Sequence, residues 1–424
     1  MTGSTTNPRP ANLREAHAHL FQLGRSLSMV DLSGCTDRQE MIGLIAERAK
    51  TLGGDEWVLA HGARPDGWAD PRWPKRTELD HAGGGRAVVA WCFDYHAMVA
   101  SSAALAHAGI DAGTSVDSGR VELDDDGEPT GLLIEHAALK MWDAVPEPEP
   151  AKRAGLVRQA CGHLAAMGFV EVHDLKAQPW LGGVLRDLVA SGEVSMRFTL
   201  FPLMDDLTET IRASDGWRGD AVTLGGGKIF VDGTLSSRTA WMLSPFADGH
   251  RETPCGTPMM THDGIETALL ECRALGLPVA AHAIGDAAVR AVLDAVERTG
   301  TAHSGCRIEH AEVIDPADVP RFKELGVTAS LQPCHLLADI EALGRAIPDR
   351  LDRVLPIRDL MASGLEPGVD LLFGSDVPIV RADPDDSIRA AVSRRREGMD
   401  ASEAINPDQA ILEGEAWACF AADG

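Results

Sequence analysis

The sequence predicts an α/β protein, a (β/α)8 TIM-like barrel with a large insertion after its first strand. Three observations predict it. From about residue 155 onward, short apolar, β-prone runs alternate with helical stretches. Seven such runs, with one more near the N-terminus, make eight strands. Single polar residues (Lys228, His282, His310, Asp376) lie in, end or directly follow these runs. Repeated strand ends feeding one polar cluster is how a parallel barrel builds a site.

The elements follow in order. Glu15-Ala16-His17-Ala18-His19 is the first strand, and the apolar Leu20 and Phe21 just after it suit its continuation. Residues 157–167 read as a helix and 169–173 as a strand. Then come helix 184–190, strand 196–203, helix 207–213 and strand 222–231. An amphipathic helix at 262–275 precedes strand 277–281, and helix 287–298 precedes strand 306–309. Helix 316–325 precedes strand 327–332, and the last pair is helix 357–362 with strand 371–373.

One stretch does not fit this alternation. Residues 21–150 are too many for a plain connection and carry their own Trp, Gly and Pro clusters. They read as an inserted cap subdomain with short strands at 57–59 and 87–90, entering at the catalytic face of the barrel. Residues 146–150 (Pro-Glu-Pro-Glu-Pro) read as a stiff exposed linker. The barrel is thus assigned to residues 1–20 and 151–400, the cap to 21–150, and a C-terminal tail to 401–424.

Composition narrows the function classes. A chain of 424 residues with 44% hydrophobic and 24% charged residues is that of a globular protein with a large core. A net charge of −25 argues against nucleic acid and anionic membranes as partners. No apolar run is long enough to span a bilayer, and the N-terminus lacks the features of a secretory signal. The eight cysteines are scattered without C-x-x-C spacing. They read as reduced thiols in a cytoplasmic protein, with neither a disulfide framework nor a thiolate zinc site.

The chemistry rests on six residues. His17 and His19, at spacing two on a strand, point to one face and can grip one ion; alone, the pair is equally two polar residues on an edge strand. Lys228, entering an apolar strand, is costly unless paired, for instance with Asp232, or chemically used. An amine of lowered pKa in such a site can react with CO2 to form a carbamate that bridges two cations. His282 and His310 each follow a strand-like run, where a lone histidine is more often a satisfied structural group. Asp376 ends the last strand, where a carboxylate can hold a metal and take a proton, or cap a turn. Together, H-x-H, K, H, H and D on separate strands point to a divalent metal site.

This constellation resembles the amidohydrolase superfamily, most closely its amidohydrolase-3 branch of N-substituted formamide deformylase-like proteins. The resemblance runs from about Glu15 to Arg395. It includes His96 within 92–101, Gly127-Glu128-Pro129-Thr130-Gly131, the stretch from Phe230 to Arg238, Ser330-Leu331-Gln332-Pro333-Cys334-His335, and Gly374-Ser375-Asp376. It implies His17, His19, Lys228, His282, His310 and Asp376 as metal ligands, with Lys228 carboxylated. One or two divalent cations are expected, zinc first, although imidazole and carboxylate ligands also suit Mn, Fe or Co. Asp376, Lys228 and His310 would be catalytic. His335, Arg238 and His96 would be substrate-side groups, joined by Tyr95, the sole tyrosine, which stands beside His96. A strand-end hydrogen bonder, a surface ion pair and a structural histidine are equally open readings of His335, Arg238 and His96. Glu15 stands where the family usually has Asp. The flanking β-sandwich of the family is expected to be absent or vestigial.

The expected activity is hydrolysis of a C–N bond in an amide, cyclic amide or formamide by metal-activated water. A metal-dependent esterase or lactonase is the first alternative, and a non-catalytic metal-binding barrel the second. The expected partner is a small-molecule substrate, with homo-oligomers left open.

Overall fold

The computed structural model describes residues 9–93, 95, 97–116, 119–249 and 251–422. The chain forms two compact units. One is built from the chain up to Phe21 and from Val157 onward, the other from Gln22–Leu156.

The first unit carries two parallel sheets. Leu13–Ala18, Phe169–Asp174, Arg197–Leu200 and Val222–Leu224 pair in that order. Gly227–Phe230, Val279–Ala283, Arg307–His310, Thr328–Leu331 and Leu371–Phe373 form the second sheet, also in chain order. Helices such as Leu181–Ala190, Met204–Ser214, His262–Ala274, Asp286–Thr299 and Val319–Leu325 fall between consecutive strands. That order follows from parallel pairing, which needs a crossover between strands. Val279–Ala283 is buried at every position, as expected of strands covered on both faces.

The expected strand at 222–231 is interrupted at Gly225-Gly226. A Cβ on Gly225 would meet the Phe201 ring at 2.5 Å, and one on Gly226 would run into the Pro278 carbonyl. The backbone therefore passes too close to its neighbours for side chains. Residues before the break pair with Arg197–Leu200, and those after it with Val279–Ala283. Isolated parallel bridges link the two sheets: Leu203, just past Arg197–Leu200, with Lys228, and Ala18 with Val377, just past Leu371–Phe373.

Several local expectations change. The first strand stops at Ala18, and Leu20 opens a helix, Leu20–Ser28. Asp174 Oδ2 accepts the Leu20 amide at 2.8 Å, satisfying a donor that the helix start leaves free. Past residue 156, three further helices among the described residues are not anticipated from sequence: Pro333–Ala346, Pro384–Ser393 and Glu413–Cys419. The last belongs to the segment set apart as a tail, and it packs into the first unit. Phe420 is buried, its ring 6.1 Å from that of Phe169 and 5.7 Å from that of Phe373. The Arg14 amide donates to Phe420 O at 2.6 Å.

The second unit holds a six-stranded mixed sheet. Its spatial order is Val30–Asp31, Val58–Ala63, Val88–Cys92, Ala97–Ala100, Pro129–Glu135 and Gly119–Leu123. Alternation along Val88–Cys92 sends Val88 and Ala90 into one buried cluster with Met41, Ile45 and Leu79. It sends Val89 and Trp91 into another with Leu105, Leu133 and Met141. Among the described residues, no helix is long and apolar enough to cross a membrane.

Candidate metal centre

The ends of the first and last strands of the first unit bring three atoms able to bind a metal to one point. His17 Nε2 lies 3.3 Å from Asp376 Oδ1, and His19 Nε2 lies 2.9 Å from the same oxygen. Both rings stand on one face because they are two residues apart, with centroids separated by 5.4 Å. Backbone bonds fix this meeting: Asp376 N donates to His17 O at 2.7 Å, and His19 N to Val377 O at 2.9 Å. Gly374 permits it, since a Cβ there would lie 2.5 Å from His17 N.

Further rings complete the cluster. His310 lies 4.9 Å from His17, 4.4 Å from His282 and 5.7 Å from His335, centroid to centroid. Strand alternation would send Glu309 and His310 to opposite faces, yet both meet His17. The backbone resolves this: His310 has φ 71°, a left-handed value that turns its ring back into the cluster. Asp376 is also left-handed, at φ 63°. Non-glycine residues held so are costly and gather at functional sites.

Charge within the cluster is set by burial and by neighbours. Burial pulls His17 down to about 4 and His282 to about 3, and holds His310 well below the ordinary histidine value. Neutral imidazole is the form that binds metal. Burial opposes the charge on Asp376, but the imidazoles of His17, His19 and His335 outweigh it and hold the carboxyl well below the usual range. His335 takes the opposite course. Burial again works against its charge, but Glu312, 3.3 Å from Nδ1, pushes it up to about 9.

Lys228 Nζ is buried and has no hydrogen-bond partner among the described residues. It does not pair with Asp232, whose oxygens instead accept the amides of Trp241, Ile284 and Gly285. Burial lowers the Lys228 amine to about 8. A buried polar group left unmatched costs about 1–3 kcal/mol. His310 Nδ1 and His19 Nδ1 are likewise buried without partners. Unmatched donor atoms, neutral imidazoles and a carboxylate form a nitrogen and oxygen set that fits a divalent cation. Two triads lie within coordination reach, His17/His19/Asp376 and His310/His335/Asp376.

The other candidates fall elsewhere. Arg238 is engaged by both oxygens of Asp248 at 2.6 Å and by the carbonyls of Leu235 and Ser236, none of them in the cluster. Tyr95 lies in the second unit, half-buried, its ring 5.5 Å from Trp91. His96 lies outside the described residues.

A family model described as the amidohydrolase family, in its amidohydrolase-3 form, matches residues 13–421. The chain belongs to the amidohydrolase family. The Bacillus subtilis protein YtcJ, an amidohydrolase by name, is 29% identical over 404 residues, covering 90% of this chain and 72% of its own. The N-substituted formamide deformylase of Arthrobacter pascens is 26% identical over 424 residues, 95% of this chain and 76% of its own. Among solved structures, an uncharacterized metal-dependent hydrolase from Pyrococcus horikoshii superposes with a TM-score of 0.78 at 28% identity. The match covers 96% of this chain and 78% of that one.

Around the cluster of this amidohydrolase lie carboxylates that the sequence did not single out. Glu309 accepts from His17 Nδ1 at 2.8 Å, and Glu312 holds His335. Glu15, noted only as a departure, accepts Ser375 N at 2.8 Å, Ser375 Oγ at 2.9 Å and His17 N at 3.0 Å. Its carboxylate ties the strand of His17 to the loop of Asp376. One signal in the sequence was available: Glu309 and Glu312 flank His310-Ala311 within otherwise apolar residues.

Proposed function

We propose that this amidohydrolase is a metal-dependent hydrolase cleaving the C–N bond of an amide, cyclic amide or formamide. The observation that carries it is the convergence of His17 and His19 on Asp376 beside buried, neutral His282 and His310 and the unmatched Lys228 amine. The two sheets with their linking bridges are read as one (β/α)8 barrel, with these residues at its C-terminal ends.

His17, His19, His282, His310 and Asp376 would hold one or two divalent cations, zinc first. Such a cation, when bound, supplies Lewis acidity toward a carbonyl oxygen and brings the pKa of water toward neutrality. Lys228 would enter the site as a carbamate. Its unprotonated amine adds to the carbon of CO2 as one C=O π bond opens, and the nitrogen of the adduct then gives a proton to solvent, leaving a carbamate with two oxygens. Asp376, held ionised, accepts a proton from the attacking water and returns it to the leaving nitrogen. His335, charged, with Nε2 3.2 Å from Ser375 O and 3.9 Å from Asp376 Oδ2, would donate to a substrate oxygen by turning from that carbonyl.

The choice of a C–N bond leans on the deformylase relative. The test is turnover by the zinc-loaded protein on a panel of N-substituted formamides, lactams, linear amides, esters and lactones. Turnover of formamides or amides above the esters supports the reading. Turnover confined to esters or lactones overturns it.

A further inference from the structure

Arg307 and Glu309 share one face of the Arg307–His310 strand and are both buried. The guanidinium donates through Nε to Glu309 Oε1 and through Nη2 to Glu309 Oε2 at 3.1 Å. Nη2 also reaches Ala16 O and Ser330 Oγ, each at 2.8 Å, and Nη1 lies 2.9 Å from His173 Nδ1. One side chain is therefore tied to the strands of His17, His173 and Ser330 as well as to its own.

A buried ion pair is a poor source of stability. Desolvation of both charges offsets their attraction, and apolar replacements of similar volume are often as stable. The geometry gives this pair another use. Glu309 Oε2 already accepts from a guanidinium that stays charged throughout the pH range of proteins. It is therefore an acceptor toward His17 as well, 2.8 Å from Nδ1. Asp376 Oδ1 and Gln332 Nε2 each lie 3.3 Å from the ring, the first from Nε2 and the second from Nδ1, so the closer Glu309 favours the hydrogen on Nδ1 and leaves the Nε2 lone pair facing Asp376.

We propose that the Arg307–Glu309 pair is a positioning device for His17, fixing its tautomer and ring angle so that Nε2 is presented to a cation. The inference rests on His17 being a metal ligand, as read above. Carboxylates behind ligand histidines act in this way in general, and their loss weakens metal binding about 10–100-fold. Arg307 acts one step further back, by orienting Glu309.

The test uses the full chain, stripped of metal. Zinc affinity is measured by competition with a chromophoric chelator for the parent, Glu309→Gln, Arg307→Lys and Glu171→Gln. Glu171 belongs to the neighbouring charged group, where it pairs with Arg14, His173 and Arg197. Glu309→Gln should bind zinc about 10–100-fold more weakly, and Glu171→Gln should match the parent. In 15N-histidine spectra of the metal-free proteins, His17 should be a single Nδ1–H tautomer in the parent and a mixture in Glu309→Gln. Unchanged zinc affinity and tautomer in Glu309→Gln would overturn the inference and leave the metal site standing. A parent that binds no zinc would overturn the site reading and the inference with it. If Glu309→Gln does not fold, Arg307→Lys carries the test, because a point charge cannot bridge both carboxylate oxygens. Parent-like zinc affinity in that variant overturns the inference.

Discussion

His19 Nε2 stands 2.9 Å from Asp376 Oδ1, although 357 positions separate the two residues. His17 Nε2 approaches the same oxygen at 3.3 Å. Imidazole lone pairs and a carboxylate oxygen crowded together make an electron-rich point, which a cation relieves. The double variant His17→Ala/His19→Ala should therefore lose at least one divalent cation per chain. Elemental analysis of the purified protein checks this, and full occupancy in the double variant would remove these histidines from the site.

Lys228 should carry a carbamate. Its amine is buried, has no hydrogen-bond partner among the described residues and is lowered to about 8 by burial, so a useful fraction is unprotonated and nucleophilic near neutral pH. Growth or reconstitution with 13C-labelled bicarbonate should give a carbamate carbon signal that is absent from Lys228→Ala. That variant should lose activity, and short carboxylic acids should restore part of it by supplying oxygens in place of the carbamate. A metal-loaded, active protein without the carbamate signal would leave Lys228 an ordinary amine.

Acid stability should depend on Glu171. Burial opposes its charge, but hydrogen bonds from His173 and Arg197 and the charge of Arg14 outweigh burial and bring the carboxyl down to about 2. A folded pKa below the unfolded value of 4.5 gives stability that is present above pH 4.5 and lost as pH falls toward 2. The shift corresponds to about 3 kcal/mol at neutral pH. Urea unfolding of the parent and of Glu171→Gln should differ by up to that amount at pH 7. The difference should shrink by about half between pH 5 and pH 3. A difference independent of pH would mean that Glu171 acts by packing alone.

The strands that carry the cluster were legible because parallel strands buried on both faces are written as short apolar runs. Val279–Ala283 and Leu371–Phe373 show this. The break at Gly225-Gly226 was not, because it depends on Phe201 and Pro278, which approach only in the fold. Pro333–Ala346 was missed although Leu336, Ile340 and Leu343 recur at helical spacing. The histidines and the aspartate that meet in the cluster could be read from their places at strand ends. The left-handed turn that aims His310, and Glu309 behind His17, could not, since alternation alone separates those neighbours. The ion pair of Arg238 was left open, because its partner Asp248 lies ten residues on, in a loop without periodicity.

Asp376 should be needed for turnover more than for metal. Its carboxylate lies among His17, His19 and His335 and stays ionised, which suits it to accept and return one proton per cycle. Asp376→Asn keeps the shape and one oxygen donor but removes the basic site. At saturating zinc its kcat should fall about 10²–10⁴-fold, the range lost with a positioned general base. Zinc content should fall much less, because the imidazoles remain. Steady-state kinetics with metal counted in the same samples separates the two effects. If Asp376→Asn turns over like the parent when fully loaded, the proton acceptor lies elsewhere.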